Sequence, residues 1–488
     1  MTEERQILAR GLLWLGSATA ISRIIDALGL VLVLRLLSRE EIGIATLAWS
    51  VTVFVECFSS LGIGTATLQQ PDLTPEQTSS AFWYGTAIAG LLALCVSGAA
   101  PFIADSYGTP GLRPMIQVAS LKLVFVGLAA VPLALIGRAM RYKAMGALTT
   151  VATLVAAVAT LAFAAAGYGA WSPVLGNLTN GFAQLVGAYA FSPRFARGAF
   201  VWSALRPMAR TGLHIAGSVA IVQLSRNLDY LLLGKLVGVS VLGGYRVAFD
   251  LAMAPSIAIL QVGNRTALPV YSRLSAEPRK LAEAWLWTVR TIVLMALPVI
   301  IIVMFDGLSV LTLHGKSDWP NAQVTIRLLC AAAVFRGIAE TFPSLYVAAG
   351  KSQLSLYHSL ANLGFVAACM LLGLAWFTQS DQVLVIAGAW VAATILLVLL
   401  SVLVVRGVID LSARTLASTL ARPALVVVCT CAALLVVQPL RPADPRLALA
   451  LDVAVLLVAY WLSLRGILGL RLRSLGARAE PAASSAKP

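Results

Sequence analysis

Two short stretches carry charge inside apolar sequence. Ser22 to Ser38 reads SRIIDALGLVLVLRLLS, and Ser225 to Gly238 reads SRNLDYLLLGKLVG. Each opens Ser-Arg-x-x-Asp and later carries a further basic residue: Arg23, Asp26 and Arg35 in the first, Arg226, Asp229 and Lys235 in the second. Arginine and aspartate three residues apart share one face of a helix. A guanidinium on such a face donates two parallel hydrogen bonds to a phosphate or pyrophosphate. The neighbouring carboxylate is a candidate for coupling to a cation.

Further charges lie deep in apolar runs: Glu56, Lys122, Arg246, Asp250, Arg290, Arg327, Arg336, Glu340 and Asp452. A charge at a helix centre costs about 2.5–3.5 kcal/mol on insertion scales, and less near a helix end. Arg35, Lys235 and Arg327 are expected near ends. Arg246/Asp250 and Arg336/Glu340 are four residues apart and also share faces. Ion pairs that merely fix helix packing account for any one pair. They account less well for the set, in which nine residues are basic and six acidic. An unpaired buried cation is uncompensated for its lost hydration. A bound anion would supply the missing partner. Arg23, Arg226, Arg246 and Arg336 are therefore the candidate substrate ligands, with Lys235 and Arg35 nearer a rim. Asp26, Glu56, Asp229, Asp250 and Glu340 are the candidate ion-coupling carboxylates. Glu56 has no obvious neighbour on its own helix.

These residues have to be held by membrane helices. The 488-residue chain is 59% hydrophobic and 12% charged, with a net charge of +15, and its mean hydropathy is +0.87. Soluble domains carry roughly twice that charged fraction. Many apolar runs reach the roughly 20 residues a helix needs to cross a bilayer. Barrel-type alternation is absent. The expectation is an all-α polytopic membrane protein with about fourteen transmembrane helices. They are placed near 11–36, 42–68, 79–104, 114–137, 146–167, 171–191, 211–236, 241–268, 283–306, 323–349, 353–377, 382–405, 420–438 and 446–465. The opening MTEERQILAR is mixed in charge and leads into the first span, so it is not expected to be a cleaved signal. Thr74-Pro75-Glu76-Gln77 carries a capping box and a first-turn proline, and predicts a helix start there.

Lys and Arg concentrate in alternate loops. With the N-terminus on the cytoplasmic side, Arg138, Arg141, Lys143, Arg206, Arg210, Arg279 and Lys280 all fall inside, and the C-terminus does too. The two charged stretches also align further: Gly16-Ser17 matches Gly217-Ser218, and the last basic residue precedes a glycine by eight positions in both, Arg35 to Gly43 and Lys235 to Gly243. A weaker echo links Phe125-Val-Gly127 with Phe335-Arg-Gly337, each followed by a proline. Six helices separate the copies, so they point the same way, a parallel repeat about an axis along the membrane normal. The expected organisation is an N-terminal six-helix lobe at 1–200, a second lobe at 201–408, two further helices at 409–470 and a disordered cytoplasmic tail at 471–488.

Other features exclude more than they indicate. The six cysteines lie in apolar runs without zinc-ligand spacing and are expected to be buried free thiols. No phosphate-binding loop with Lys-Ser/Thr after glycine is present, so no ATPase is expected in this chain. His214 and His358 are expected to be packing residues and His314 a solvated one. The tryptophans, Trp83, Trp202, Trp285 and Trp376 among them, fall mostly near span ends, as an interfacial belt requires. No cofactor or metal site is expected.

Four segments resemble a known family. NLDYLLLGKLVGVSVLGGYRVAFDLAMAP (Asn227 to Pro255) is similar to the helix 7–8 signature of polysaccharide transporters in the multidrug/oligosaccharidyl-lipid/polysaccharide (MOP) flippase superfamily. GRAMRYKAMG (Gly137 to Gly146) resembles its basic segment after helix 4, and PVYSRLSAEPRKL (Pro269 to Leu281) its loop after helix 8. HGKSDWPNA (His314 to Ala322) resembles its external Gly-x-x-Trp region, with one extra residue. The resemblance implies a Wzx-type flippase of the bacterial inner membrane, not an enzyme. Such a protein moves undecaprenyl-pyrophosphate-linked oligosaccharide from the cytoplasmic to the periplasmic leaflet for capsule, exopolysaccharide or O-antigen (lipopolysaccharide) assembly. It also implies a V-shaped alternating-access fold and coupling to H+ or Na+. Membrane lipids, and polysaccharide polymerase or export machinery, are the implied partners; nucleic acid is not. A lipid II flippase and a multidrug exporter of the same superfamily are the alternatives. The exporter fits the basic balance less well, because cationic drugs call for an acidic, aromatic cavity.

Overall fold

The computed structural model describes residues 2–59, 62–70, 72–193, 195, 198–275, 277–312, 321–377, 381–409, 413–442 and 444–468. Among them there is no strand. The helices run α1 Thr2–Leu36, α2 Arg39–Ser59, α3 Ile63–Gln69, α4 Pro75–Ser106, α5 Leu112–Arg138, α6 Tyr142–Ala165, α7 Trp171–Phe191 and α8 Trp202–Leu236. They continue as α9 Val239–Arg273, α10 Pro278–Thr312, α11 Ala322–Ala339, α12 Phe342–Ala348, α13 Ser352–Trp376, α14 Gln382–Val405, α15 Ala413–Val437 and α16 Pro445–Leu468.

Every segment expected to be helical holds a helix, but two of them are broken. The second expected span is interrupted between α2 and α3, where Gly62 adopts a left-handed φ of 65°. A side chain at Gly62 would run into the backbone of Gly212 on α8, so both its φ and its close approach favour glycine. The tenth expected span breaks between Ala339 and Phe342. Pro343 sits just past the break and has no N–H to continue the ladder. Helix ends also reach further than sequence patterning indicates. The helices expected to end near 268 and 306 run on to Arg273 and Thr312, and the one expected to start near 283 starts at Pro278. The external Gly-x-x-Trp segment and the 471–488 tail fall mostly outside the described residues.

Among the described residues, ten helical spans are long and apolar enough to cross a membrane. Charged and amide side chains stand on the other long helices: α1, α8 and α9 carry the Arg-Asp stretches, and α7 carries Asn177, Asn180 and Gln184. Leu94, Phe102, Leu372 and Trp376 stand exposed on the apolar spans, as lipid-facing side chains must. The chain is a multi-pass membrane protein.

Local chemistry fixes the helix starts and stops. Thr74 and Gln77 form the expected capping box, with Pro75 in the first turn of α4. A second box, missed in the sequence, opens α2: the Ser38 N–H donates to Glu41 Oε2 (2.6 Å) and the Glu41 N–H to Ser38 Oγ (3.2 Å). Arg138 closes α3 by donating to the carbonyls of Thr67 (3.3 Å), Leu68 (3.4 Å) and Gln70. Those are the carbonyls a helix C-terminus leaves without a partner.

The chain forms two compact units. The first comprises residues 1–250, 319–325 and 356–393, and the second 251–318, 326–355 and 394–488. In the first, Ile63, Phe82, Val131, Leu205 and Met208 form a core where α3, α4, α5 and α8 meet. The segment ahead of α8 is pinned to α4. Ser79 Oγ and Trp83 Nε1 donate to the Gly198 carbonyl (2.7 and 3.2 Å), and the Val201 N–H donates to Ser80 Oγ (2.9 Å). In the second unit the core is built around Trp285, Val289, Leu297, Phe342, Tyr346 and Val405. Trp285 is fully buried and donates to Thr341 Oγ1 at the α11–α12 break (3.2 Å); it is not an interfacial tryptophan. The six cysteines are free, yet only Cys330 is buried, and Cys95 and Cys429 are exposed.

Candidate functional site

The two Ser-Arg-x-x-Asp copies sit in very different surroundings, both within the first unit. On α1 the expected pair forms: Arg23 Nη1 lies 3.7 Å from Asp26 Oδ2, and the two side chains are 46% and 54% exposed. Asp26 lies within electrostatic reach of Asp250, on α9. Asp250 in turn takes Arg246, with Nε 2.7 Å from Oδ2. The Arg246 guanidinium lies over the rings of Trp49 (4.7 Å) and Tyr230 (5.0 Å). One arginine–aspartate pair therefore comes from each repeat, one half-exposed and one packed against aromatic rings. Arg35 is exposed in the last turn of α1.

On α8 the aspartate is enclosed instead. Asp229 is fully buried. It accepts from Tyr245 Oη (2.8 Å), Trp390 Nε1 (3.1 Å) and the Tyr230 N–H (2.9 Å). Three converging donors satisfy the oxygens of this buried carboxylate. Tyr230, Tyr245, Phe249 and Trp390 pack as an aromatic cluster around it. Arg226 is partly buried. Lys235 ends α8; it donates to the Ser106 carbonyl at the end of α4, and its ammonium lies 5.9 Å from the Tyr107 ring centre.

Glu56 is not without a partner. Lys122 Nζ, on α5, lies 3.0 Å from Glu56 Oε2. The sequence shows no neighbour because the partner comes from another helix, 66 positions away by residue number.

In the second unit Arg336, only 7% exposed, lies 3.7 Å from Glu340 through Nε. Asn264 donates to the Glu340 carbonyl (3.0 Å) beside the α11–α12 break. Asp452 is fully buried on α16, and Arg441 Nη2 reaches it at 2.5 Å and reaches Asp306 of α10 at 3.4 Å. Arg441 thus folds back to pair with two buried carboxylates. His358 is buried, as a packing histidine would be. The side chains of His214 and His314 lie outside the described residues. Among the described residues no group of three or more His, Cys, Asp and Glu is placed to hold a metal ion.

The expected same-helix pairs thus form at Arg23/Asp26, Arg246/Asp250 and Arg336/Glu340. What sequence reasoning missed are the cross-helix partners: Trp49 and Tyr230 on Arg246, Tyr245 and Trp390 on Asp229, Lys122 for Glu56, and Asn264 at the break. Their aromatic or amide type was visible, but nothing in the sequence marks them as neighbours.

The chain is a helical, many-span membrane protein with charge pairs on its helices. Solved structures of membrane transporters share its fold. The lipid II flippase MurJ in an inward closed conformation matches with a TM-score of 0.74 at 13% identity, over 93% of this chain and 98% of that one. An inward-facing multidrug resistance MATE family transporter of the MOP superfamily matches with a TM-score of 0.59 at 13% identity, over 80% and 96%. The chain belongs to the polysaccharide biosynthesis protein family, which it matches over residues 32–322. Curated relatives include the lipopolysaccharide biosynthesis protein WzxC of Escherichia coli (22% identical; 71% of this chain, 70% of the relative). They also include the teichuronic acid biosynthesis protein TuaB of Bacillus subtilis (21%; 80% of each). A third is the succinoglycan biosynthesis transport protein ExoT of Rhizobium meliloti (23%; 73% and 74%).

Proposed function

We propose that this protein is a flippase for lipid-linked oligosaccharide, carrying an undecaprenyl-pyrophosphate-linked glycan across the bacterial inner membrane for capsule, exopolysaccharide or O-antigen synthesis. The observation that carries the reading is membership of the polysaccharide biosynthesis family by a chain with a MOP-superfamily fold. Relatives named for lipopolysaccharide and succinoglycan biosynthesis support it. Both termini are cytoplasmic in this account, and residues 1–200 and 201–408 act as two lobes that alternate access.

The half-exposed Arg23 is the first candidate to meet a pyrophosphate, since its pairing with Asp26 is long and leaves donors free to turn to a ligand. Arg35 follows at the rim. Arg226, Arg246 and Arg336 are retained as lining cations. Arg246 is the most committed of them to protein partners, with Asp250 and two aromatic rings on it. Asp26 and Asp250, within electrostatic reach of each other, are the first pair to test for H+ or Na+ coupling, ahead of Glu56, Asp229 and Glu340. Polysaccharide polymerase and export proteins are the expected partners.

The test is glycan export in a host deleted for its own flippase. Arg23→Ala should abolish export at normal protein level, and Arg226→Ala and Arg336→Ala should reduce it. Full export by all three would remove the proposed ligands. A second reading, a lipid II flippase, is favoured by the match to MurJ; rescue of a strain depleted of its peptidoglycan flippase would support that reading.

A further inference from the structure

We infer that the two repeats are clasped at one end by a reciprocal glycine crossing, Gly43 with Gly243, latched by Lys235, and that this clasp is the seal of the transport path on that side. The inference rests on the alternating-access reading above and adds the device that would close it.

The geometry is reciprocal. A Cβ added to Gly43, on the first turn of α2, would overlap the backbone carbonyl of Val239, the first residue of α9. A Cβ added to Gly243, one turn into α9, would overlap the carbonyl of Arg39, the first residue of α2, and would stand 3.0 Å from the Gly43 nitrogen. The two helix starts therefore cross backbone to backbone, each presenting its glycine to the other's first residue. Such close approach is available only without a side chain at the crossing. Gly43 and Gly243 are also the positions that the internal repeat aligns, each eight residues after the basic residue of its copy. The contact thus joins equivalent points of the two repeats, as a closure about a pseudo-twofold axis would.

A second contact lies at the same end. Lys235, in the last turn of α8, donates to the Ser106 carbonyl where α4 stops, and Tyr107 Oη donates to the Leu231 carbonyl of α8 (3.2 Å). A helix from the second repeat is tied to a helix end from the first. One turn or so below the crossing, Leu47 of α2 is fully buried, and its Cδ2 fits where a Gly234 side chain would stand, 2.5 Å from that Cβ position. Lys235, expected to be a substrate ligand at a rim, is here the latch of the rim. With the N-terminus cytoplasmic, this end faces away from the cytoplasm.

The experiment reads state without substrate. In the full-length chain with its six cysteines replaced, Leu47→Cys is labelled with a membrane-impermeant maleimide, in right-side-out and in inside-out vesicles. Gly43→Val and Gly243→Val should each raise labelling from the outer side. Lys235→Gln, which inserts no bulk and keeps the fold testable if the valine variants are not recovered, should raise it about tenfold, the shift a charge-assisted hydrogen bond holds. Gly98→Val, whose added side chain meets nothing within 4 Å, should leave it unchanged. Unchanged outer-side labelling in the recovered clasp variants, or a rise from the cytoplasmic side alone, would overturn the clasp. Loss of the flippase reading would show separately, in export, while the labelling difference stood.

Discussion

Lys122 Nζ lies 3.0 Å from Glu56 Oε2, and joins α5 to α2 across two membrane helices with both side chains largely buried. Each charge is tolerable there only because of the other. Glu56→Gln or Lys122→Met alone should each lower the midpoint of thermal unfolding in detergent. The double variant should lose less than the sum, with a coupling of about 0.5–3 kcal/mol. Strict additivity would mean that the pair does not hold the helices together.

The Asp229 enclosure gives a sharper expectation. Tyr245→Phe and Trp390→Phe each remove one donor from a fully buried carboxylate while keeping most of the ring packing. Each should cost about 1–3 kcal/mol. Asp229→Asn should be destabilising too, because its amide presents hydrogens toward donors. Asp26→Asn, on the half-exposed copy, should leave the unfolding midpoint near that of the native chain and act on transport instead. The two halves of the repeat are thereby separated by one stability measurement and one export assay.

Arg441 is the shared ion-pair partner of Asp306 and Asp452. Arg441→Ala would strand two buried carboxylates and should cost about 3–5 kcal/mol, seen as a lower midpoint or as loss of protein from the membrane. Asp452→Asn should be milder, since it leaves one carboxylate for the one guanidinium. If Arg441→Ala were neutral, the contact would be incidental to how α10 and α16 pack.

The fold was legible in this sequence because membrane spans write themselves as long apolar runs, and because Arg23/Asp26 and Arg226/Asp229 repeat at one spacing. Pairs within one helix followed too, since three or four residues fix the face: Arg246 with Asp250 and Arg336 with Glu340. Gly62 and Pro343 were visible as residues, but not the breaks they accompany, because glycine and proline are tolerated inside membrane helices wherever a neighbour takes over the backbone groups. The cross-helix partners were hidden for a related reason. Lys122, Tyr245, Trp390 and Arg441 reach their carboxylates through packing, which has no sequence period.

The central claim is that a lipid-linked oligosaccharide crosses the membrane on this protein. The direct measurement is movement of a labelled undecaprenyl-pyrophosphate-linked oligosaccharide in proteoliposomes, with and without a pH or Na+ gradient, and with lipid II and a cationic dye as competing cargoes. The account predicts flipping of the oligosaccharide lipid by the native chain, loss in Arg23→Ala, and no transport of the dye. Transport of the dye with none of either lipid, or flipping undiminished by Arg23→Ala, Arg226→Ala and Arg336→Ala together, would contradict it.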